Sequence, residues 1–158
     1  MSYDKNQIES ALYKYGDSLM RVAYTYTQNM EDAQDIVQEV FLKYMSKPLH
    51  FESVEHEKAW LIRVTINLCK NHLTSAYRKN YSELSDNICV YDSYSSGILE
   101  AVNSLPQKYA VVIHLFYYEG YSQKEIAKII NLTESAVSTR LQRGRSMLKS
   151  KIGDDFFD

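Results

Sequence analysis

Two cysteines, two prolines and five glycines are all that the 158 residues hold of the amino acids that staple, break or loosen a chain. Cys69 and Cys89 are too few for a disulfide framework, so the expected setting is reduced and cytoplasmic. No apolar run approaches the roughly 20 residues that a membrane-spanning helix needs. The opening residues, Met1-Ser2-Tyr3-Asp4-Lys5, lack the basic-then-apolar order of a secretory signal. Strand-like alternation is nowhere sustained, which leaves the helix as the main element. Sites for chemistry are also missing. There is no glycine-rich phosphate loop. Cys69 and His72 form a lone C-x-x-H pair, half of what a structural zinc site needs, and a partly buried thiol is the better reading. His50, His56 and His114 show no evident partners, and the acidic residues do not gather in an apolar pocket that would raise a carboxyl pKa. No catalytic residue, metal or cofactor is expected, and an enzyme is the last choice among function classes.

What is present suits a globular chain: 45% hydrophobic residues, 24% charged, and 14 tyrosines. The net charge of −2 hides a segregated pattern. Glu31 to Glu57 holds seven acidic and two basic residues. Arg63 to Lys79 holds four basic and no acidic ones, and Tyr121 to Ile152 seven basic and two acidic. Screening confines exposed charges to about 10 Å at 0.1 M salt, so a partner meets one acidic and two basic patches rather than the total.

Apolar spacing predicts a first helix over about Lys5 to Gln28, with Leu12, Tyr15, Leu19, Val22 and Tyr26 on one stripe. Asn29 breaks it. A second helix, Glu31 to about Met45, turns Ala33, Ile36, Val37, Val40, Phe41 and Tyr44 inward. Its first turn carries Glu31 and Asp32, where carboxylates favour the helix dipole. After Pro48 a loop leads into a third helix, about Glu55 to Lys79, with Trp60, Leu61, Val64, Leu68 and Leu73 as core candidates. The stretch NYSELSDNICVYDSYSSG, residues 80–97, loses periodicity and reads as a linker. The expected fold is therefore all-α: a helical domain at 1–79, a flexible linker at 80–97, a second helical domain at 98–152, and an acidic-aromatic tail at 153–158.

The second domain opens with a short helix, and Pro106 suits the first position of the next. That helix is strongly apolar and ends at Gly120. Ser122 and Glu125 have the spacing of a capping box. Ile126, Ala127 and Ile130 face inward, Asn131 can turn the chain in the left-handed conformation, and Thr133 can cap a final helix anchored by Val137, Leu141, Met147 and Leu148. Two short helices joined so tightly describe a helix-turn-helix. Packing Val137 and Leu141 inward leaves Glu134, Ser135, Ser138, Thr139, Gln142 and Arg143 outward, where Arg and Gln can read base edges in a major groove. Arg140, Arg145 and Lys149 are better placed for phosphates.

In this order the residues resemble an ECF sigma factor, a two-domain bacterial transcription initiation factor. EDAQDIVQEVFLKYM resembles the family's polymerase-binding helix, FESVEHEKAWLIRVTINLCKNHL its promoter-melting segment, and LPQKYAVVIHLFYYEGYSQKEIAKIINLTESAVSTRLQRGRSMLK its C-terminal DNA-binding domain. The resemblance implies the following roles. Asp32, Asp35, Gln38, Glu39 and Leu42 dock on the β′ clamp coiled coil of core RNA polymerase, and the β flap is a further contact. Phe51, Asn67, Lys70, Asn71, Arg78 and Lys79 engage the minus-ten element as single strand, with Phe51 near a flipped base. Folding back onto the core is the alternative for a loop phenylalanine. Ser135, Ser138, Thr139, Arg140, Gln142, Arg143, Arg145 and Lys149 meet the minus-thirty-five duplex. An anti-sigma factor is an implied partner. The chain departs from the family in Thr74, Ser75 and Ala76, where many members are Arg-rich, in Asn71, where many carry Asp, and in Asn131, where Gly is usual. The competing classes are a stand-alone helix-turn-helix regulator, which would dimerise on two half-sites, and a protein-only adaptor.

Overall fold

The computed structural model describes residues 5–46, 50–79 and 97–152, with backbone alone for 74–79. The chain divides into two compact units, Met1–Cys89 and Val90–Asp158. All described elements are helical.

The first unit is three mutually packed helices: α1 (Lys5–Thr27), α2 (Met30–Ser46) and α3 (Val54–Lys79). Between α1 and α2, Gln28 takes the left-handed conformation at φ 53°. The Asn29 side chain then accepts from the Asp32 amide at 3.1 Å and starts α2. At the head of α3 the Ser53 hydroxyl accepts from the His56 amide at 3.1 Å, and His56 Nδ1 accepts from the Glu52 amide at 3.2 Å. This exchange resembles a capping box with an imidazole in place of the carboxylate.

The inner face of α2 is as the spacing predicts: Ala33, Ile36, Val37, Val40, Phe41 and Tyr44 are all buried. Two other faces need correction. On α1, Ala11 is buried and Leu12 is 44% exposed, because the stripe through Tyr15, Leu19, Val22 and Tyr26 passes one position before Leu12. On α3 the buried set is Leu61, Ile62, Thr65, Ile66 and Cys69. Trp60, Val64 and Leu68, expected in the core, sit about 100° around the helix and are half-buried, as is Leu73. Thr65 lies inside because its hydroxyl donates to the Leu61 carbonyl at 2.8 Å. Burial pushes the Cys69 thiol up to about 12. A buried thiol so rarely ionised should react with a thiol reagent in native protein far more slowly than in denaturant, which timed labelling by mass spectrometry measures.

A polar clamp ties the three helices at one end. Tyr15 of α1 donates to Glu57 Oε1 at 2.6 Å, and Tyr44 of α2 donates to Oε2 at 2.9 Å. Burial, then the bond to Glu57, hold the Tyr15 hydroxyl well above its usual value. Hydrogen bonds to a charged group contribute about 1.5–3 kcal/mol each, so the clamp is a substantial part of this end of the core.

The second unit contains α4 (Gly97–Asn103), α5 (Gln107–Ile113), α6 (Gln123–Ile130) and α7 (Glu134–Ile152). Gly97, expected to end the linker, opens α4 instead; the rest of 80–97 and the tail at 153–158 lie outside the described residues. Pro106 precedes α5 rather than starting it, and its carbonyl accepts from Tyr109 and Ala110. The apolar helix expected up to Gly120 changes character at His114. Residues His114–Tyr118 form a π-helical turn in which the Glu119 amide reaches the His114 carbonyl at 3.2 Å. The wider turn accompanies a fully buried His114, stacked on Tyr118 with ring centroids 5.1 Å apart and with Nε2 3.5 Å from the Glu119 carboxylate. A histidine with no partner evident in sequence therefore has two neighbours in the fold.

Both halves of the Ser122–Glu125 capping box form at 3.1 Å. Asn131 ends α6 at φ 57°, and the amides of Asn131 and Leu132 both donate to the Ala127 carbonyl. Replacing Asn131 by Ala is expected to cost the full-length chain about 1 kcal/mol, while Gly is neutral or stabilising; urea denaturation checks both. In α7 the buried positions are Val137, Leu141, Gly144 and Leu148, and Met147 is 37% exposed instead of anchoring the helix. A Cβ on Gly144 would stand 3.0 Å from Ile113 Cγ1 and 3.5 Å from Tyr109 Cβ, so glycine sets the close crossing of α5 and α7.

Candidate nucleic-acid interface

Three surfaces carry the residues singled out from sequence. On α2, Asp35, Gln38, Glu39 and Leu42 are exposed, and Leu42 is 57% exposed despite being apolar. Asp32 is half-buried beside His72 of α3, with 3.4 Å between its carboxylate and Nε2. Gln38 and Leu42 open into an apolar groove of about 390 Å³ that includes Ile8, Leu12 and Met20 of α1. Misplaced Leu12 thus belongs to a surface, and the surface combines an apolar trough with an acidic margin. That pairing suits a partner helix with apolar and basic side chains.

On α3, Asn67, Lys70 and Asn71 are exposed. Asn67 and Asn71 line a groove of about 370 Å³ with Trp60, Val64, Leu68 and Lys43. Trp60, Val64 and Leu68, assigned to the core from sequence, are the apolar floor of this groove. Amides that both donate and accept, over an indole and two aliphatic side chains, can hold an unstacked base. Lys43 adds a cation that nothing in the acidic sequence around it signals. Phe51 is half-buried and folds against the unit: its ring is 6.3 Å from Tyr44 and parallel within 6°, 5.8 Å from Trp60, and edge-on to His56 at 5.4 Å. The ring thus packs back on the unit while part of it stays exposed, and it lines a second cavity with Tyr44 and Glu57. The side chains of Arg78 and Lys79 lie outside the described residues.

On α7, Ser135, Ser138, Thr139, Gln142, Arg143 and Lys149 are exposed, and Arg140 is half-buried. The Thr133 hydroxyl caps the helix by accepting from the Ala136 amide at 3.1 Å. The helix therefore presents its first turns outward with a polar, cationic face, the form a major groove accepts. Two of its arginines have protein partners that sequence did not signal. The Arg143 guanidinium lies near the Tyr109 hydroxyl and, with Lys108, holds that phenol below its usual value. Arg145 Nε donates to the Tyr117 hydroxyl at 2.7 Å, with its guanidinium 5.5 Å from the Phe116 ring. Both contacts tie long side chains of α7 to the segment that starts with α5. No group of three or more metal-ligating side chains occurs among the described residues, and no described helix is long and apolar enough to cross a membrane.

Fold and surfaces define the class: a two-unit helical protein whose second unit is a helix-turn-helix with a cationic outer helix. The family comparisons are more specific. Residues 12–79 match the sequence profile of sigma-70 region 2, and residues 96–148 that of sigma-70 region 4. The chain is 26% identical over 160 residues to the ECF RNA polymerase sigma factor SigW of Bacillus subtilis (strain 168), covering 89% of this chain and 86% of that one. It is 28% identical over 139 residues to the RNA polymerase sigma factor SigV of the same organism, covering 84% and 82%. Among solved structures, a sigma factor bound to the anti-sigma factor NepR, from Bartonella quintana, superposes with a TM-score of 0.73 at 20% identity, covering 94% of this chain and 98% of that one. CnrH in complex with the cytosolic domain of CnrY gives 0.61 at 19% identity, covering 96% and 91%. The chain belongs to the sigma-70 family, as an RNA polymerase sigma factor of the ECF type.

Proposed function

We propose that α2 docks this chain on core RNA polymerase, that α3 and the Phe51 loop hold the minus-ten element as single strand, and that α7 reads the minus-thirty-five element as duplex. The residues are those named from sequence: Asp32, Asp35, Gln38, Glu39 and Leu42 for the polymerase, with the β′ clamp coiled coil as the site; Phe51, Asn67, Lys70, Asn71, Arg78 and Lys79 for the single strand; and the outward residues of α7 for the duplex. Units 1–79 and 98–152 divide these tasks. The chain contributes specificity and no bond-making step; chemistry belongs to the polymerase, and the setting is the cytoplasm. An anti-sigma factor is a further partner, supported by the structural relative solved in complex with the anti-sigma factor NepR.

The observation that carries this reading is the exposed acidic margin of Asp35 and Glu39 beside an apolar groove. A stand-alone regulator has no use for it. Co-elution distinguishes the two: the chain should run as a monomer and co-elute with cognate core polymerase, and it should bind promoter duplex tightly only in that complex. A symmetric dimer binding duplex tightly without polymerase would overturn the reading.

A further inference from the structure

Arg145 of α7 is held from the side by the turn that precedes α6. Its Nε donates to the Tyr117 hydroxyl at 2.7 Å, across 28 positions of sequence. Its guanidinium carbon lies 5.5 Å from the Phe116 ring centroid and 5.7 Å from that of Tyr117. The two rings meet edge to face at 5.0 Å, and both belong to the π-helical segment His114–Tyr118. A guanidinium carries five N–H donors in a planar fork. The bond to Tyr117 uses the Nε donor and leaves the edge formed by the two Nη groups for an outside acceptor. Two parallel donors on one edge match two oxygens of a phosphate.

The position on the helix agrees. Successive residues turn by about 100°, so Arg145 lies about 80° around α7 from Ser135, at the edge of the outward face and not at its centre. A helix lying in a major groove brings its edges, rather than its centre, to the phosphates that border the groove. Tyr117 is itself 41% exposed, which makes its ring a surface support and not a core anchor. We propose that Tyr117 is a positioning residue for duplex binding: it sets the Arg145 guanidinium so that the Nη edge faces one phosphate of the minus-thirty-five element, with Phe116 as a second support. An arginine tied in this way gives up less rotamer freedom on meeting the phosphate than one solvated along its length. The role depends on α7 meeting duplex, and it adds the residue that sets one of the backbone contacts.

The test uses holoenzyme assembled from the full chain and cognate core polymerase, bound to promoter duplexes over a range of salt. Tyr117→Phe keeps the ring and removes the acceptor. It should weaken binding about 3- to 10-fold, the scale of one hydrogen bond, and equally for every base substituted in the minus-thirty-five element. Arg145→Ala should weaken binding further and reduce the salt slope by about one. Added to Arg145→Ala, Tyr117→Phe should cost nothing more, because the group it positions is gone. Uncharged methylphosphonate at single backbone positions should identify one phosphate whose loss weakens the parent and leaves Arg145→Ala unaffected. At that phosphate Tyr117→Phe should lose less than the parent. Folded Tyr117→Phe that binds as well as the parent, or more tightly, overturns the proposal. So does an equal loss with and without Arg145, which is what a purely structural tyrosine would give. Arg145→Ala without effect, where Arg143→Ala weakens binding, overturns it and leaves the duplex role of α7 standing. If none of Arg143→Ala, Arg145→Ala and Lys149→Ala weakens promoter binding, the duplex role itself fails and this inference with it.

Discussion

Lysine at both Asp35 and Glu39 is expected to weaken binding to core RNA polymerase on the order of 100-fold at low salt. Both side chains are exposed on α2, so the substitutions touch no core contact. They replace attraction with like-charge opposition against a basic partner, which costs several kcal/mol at an interface. The effect should shrink as salt rises, because exposed charges are screened over about 10 Å or less. Thermal melting of the variant should match the parent within the small range typical of surface changes. Affinity measured by fluorescence anisotropy at two salt concentrations tests this directly. Unchanged affinity in a folded variant would remove the docking surface from the account.

Arg143→Ala is expected to lower affinity for the preferred minus-thirty-five duplex by about 5- to 100-fold, the cost of a lost bidentate base contact, and to relax preference at one base pair. Lys149→Ala should instead weaken binding evenly across sequences and reduce the salt slope by about one. Holoenzyme binding to a panel of single-base variants separates the two. Arg143 also lies near the Tyr109 hydroxyl, at a crossing made close by Gly144. Equal losses on every duplex for Arg143→Ala would show a phosphate contact rather than a base reader.

What could be read from sequence depended on how well size and polarity tracked burial. The inner face of α2 was legible because its buried residues are all apolar and its outer ones mostly charged or polar. On α3 the buried stripe includes Thr65 and Cys69, while Trp60, Val64 and Leu68 line a groove outside it. Apolar spacing therefore selected a face rotated by one residue. The same substitution of large for small placed Leu12 and Met147 inside, where Ala11 and Gly144 do the packing. The caps of α6 and α7 and the left-handed Asn131 were legible because each depends on residues a few positions apart. The clamp was not, since Tyr15 and Tyr44 stand 42 and 13 positions from Glu57. Nor was the π-helical turn, which departs from the regular period where His114 is buried against Glu119 and Tyr118. The outward residues of α2 and α7 proposed for binding were picked out by motif; the groove that unites Asn67 and Asn71 with Trp60 and Lys43 needed the fold.

The most direct measurement is promoter-dependent transcription by cognate core polymerase with and without this chain, on a library of promoter fragments, with transcript start regions sequenced. The account predicts transcripts far above core polymerase alone, starting downstream of a shared pair of sequence elements spaced as minus-thirty-five and minus-ten. Transcription no higher than with core polymerase alone would contradict it.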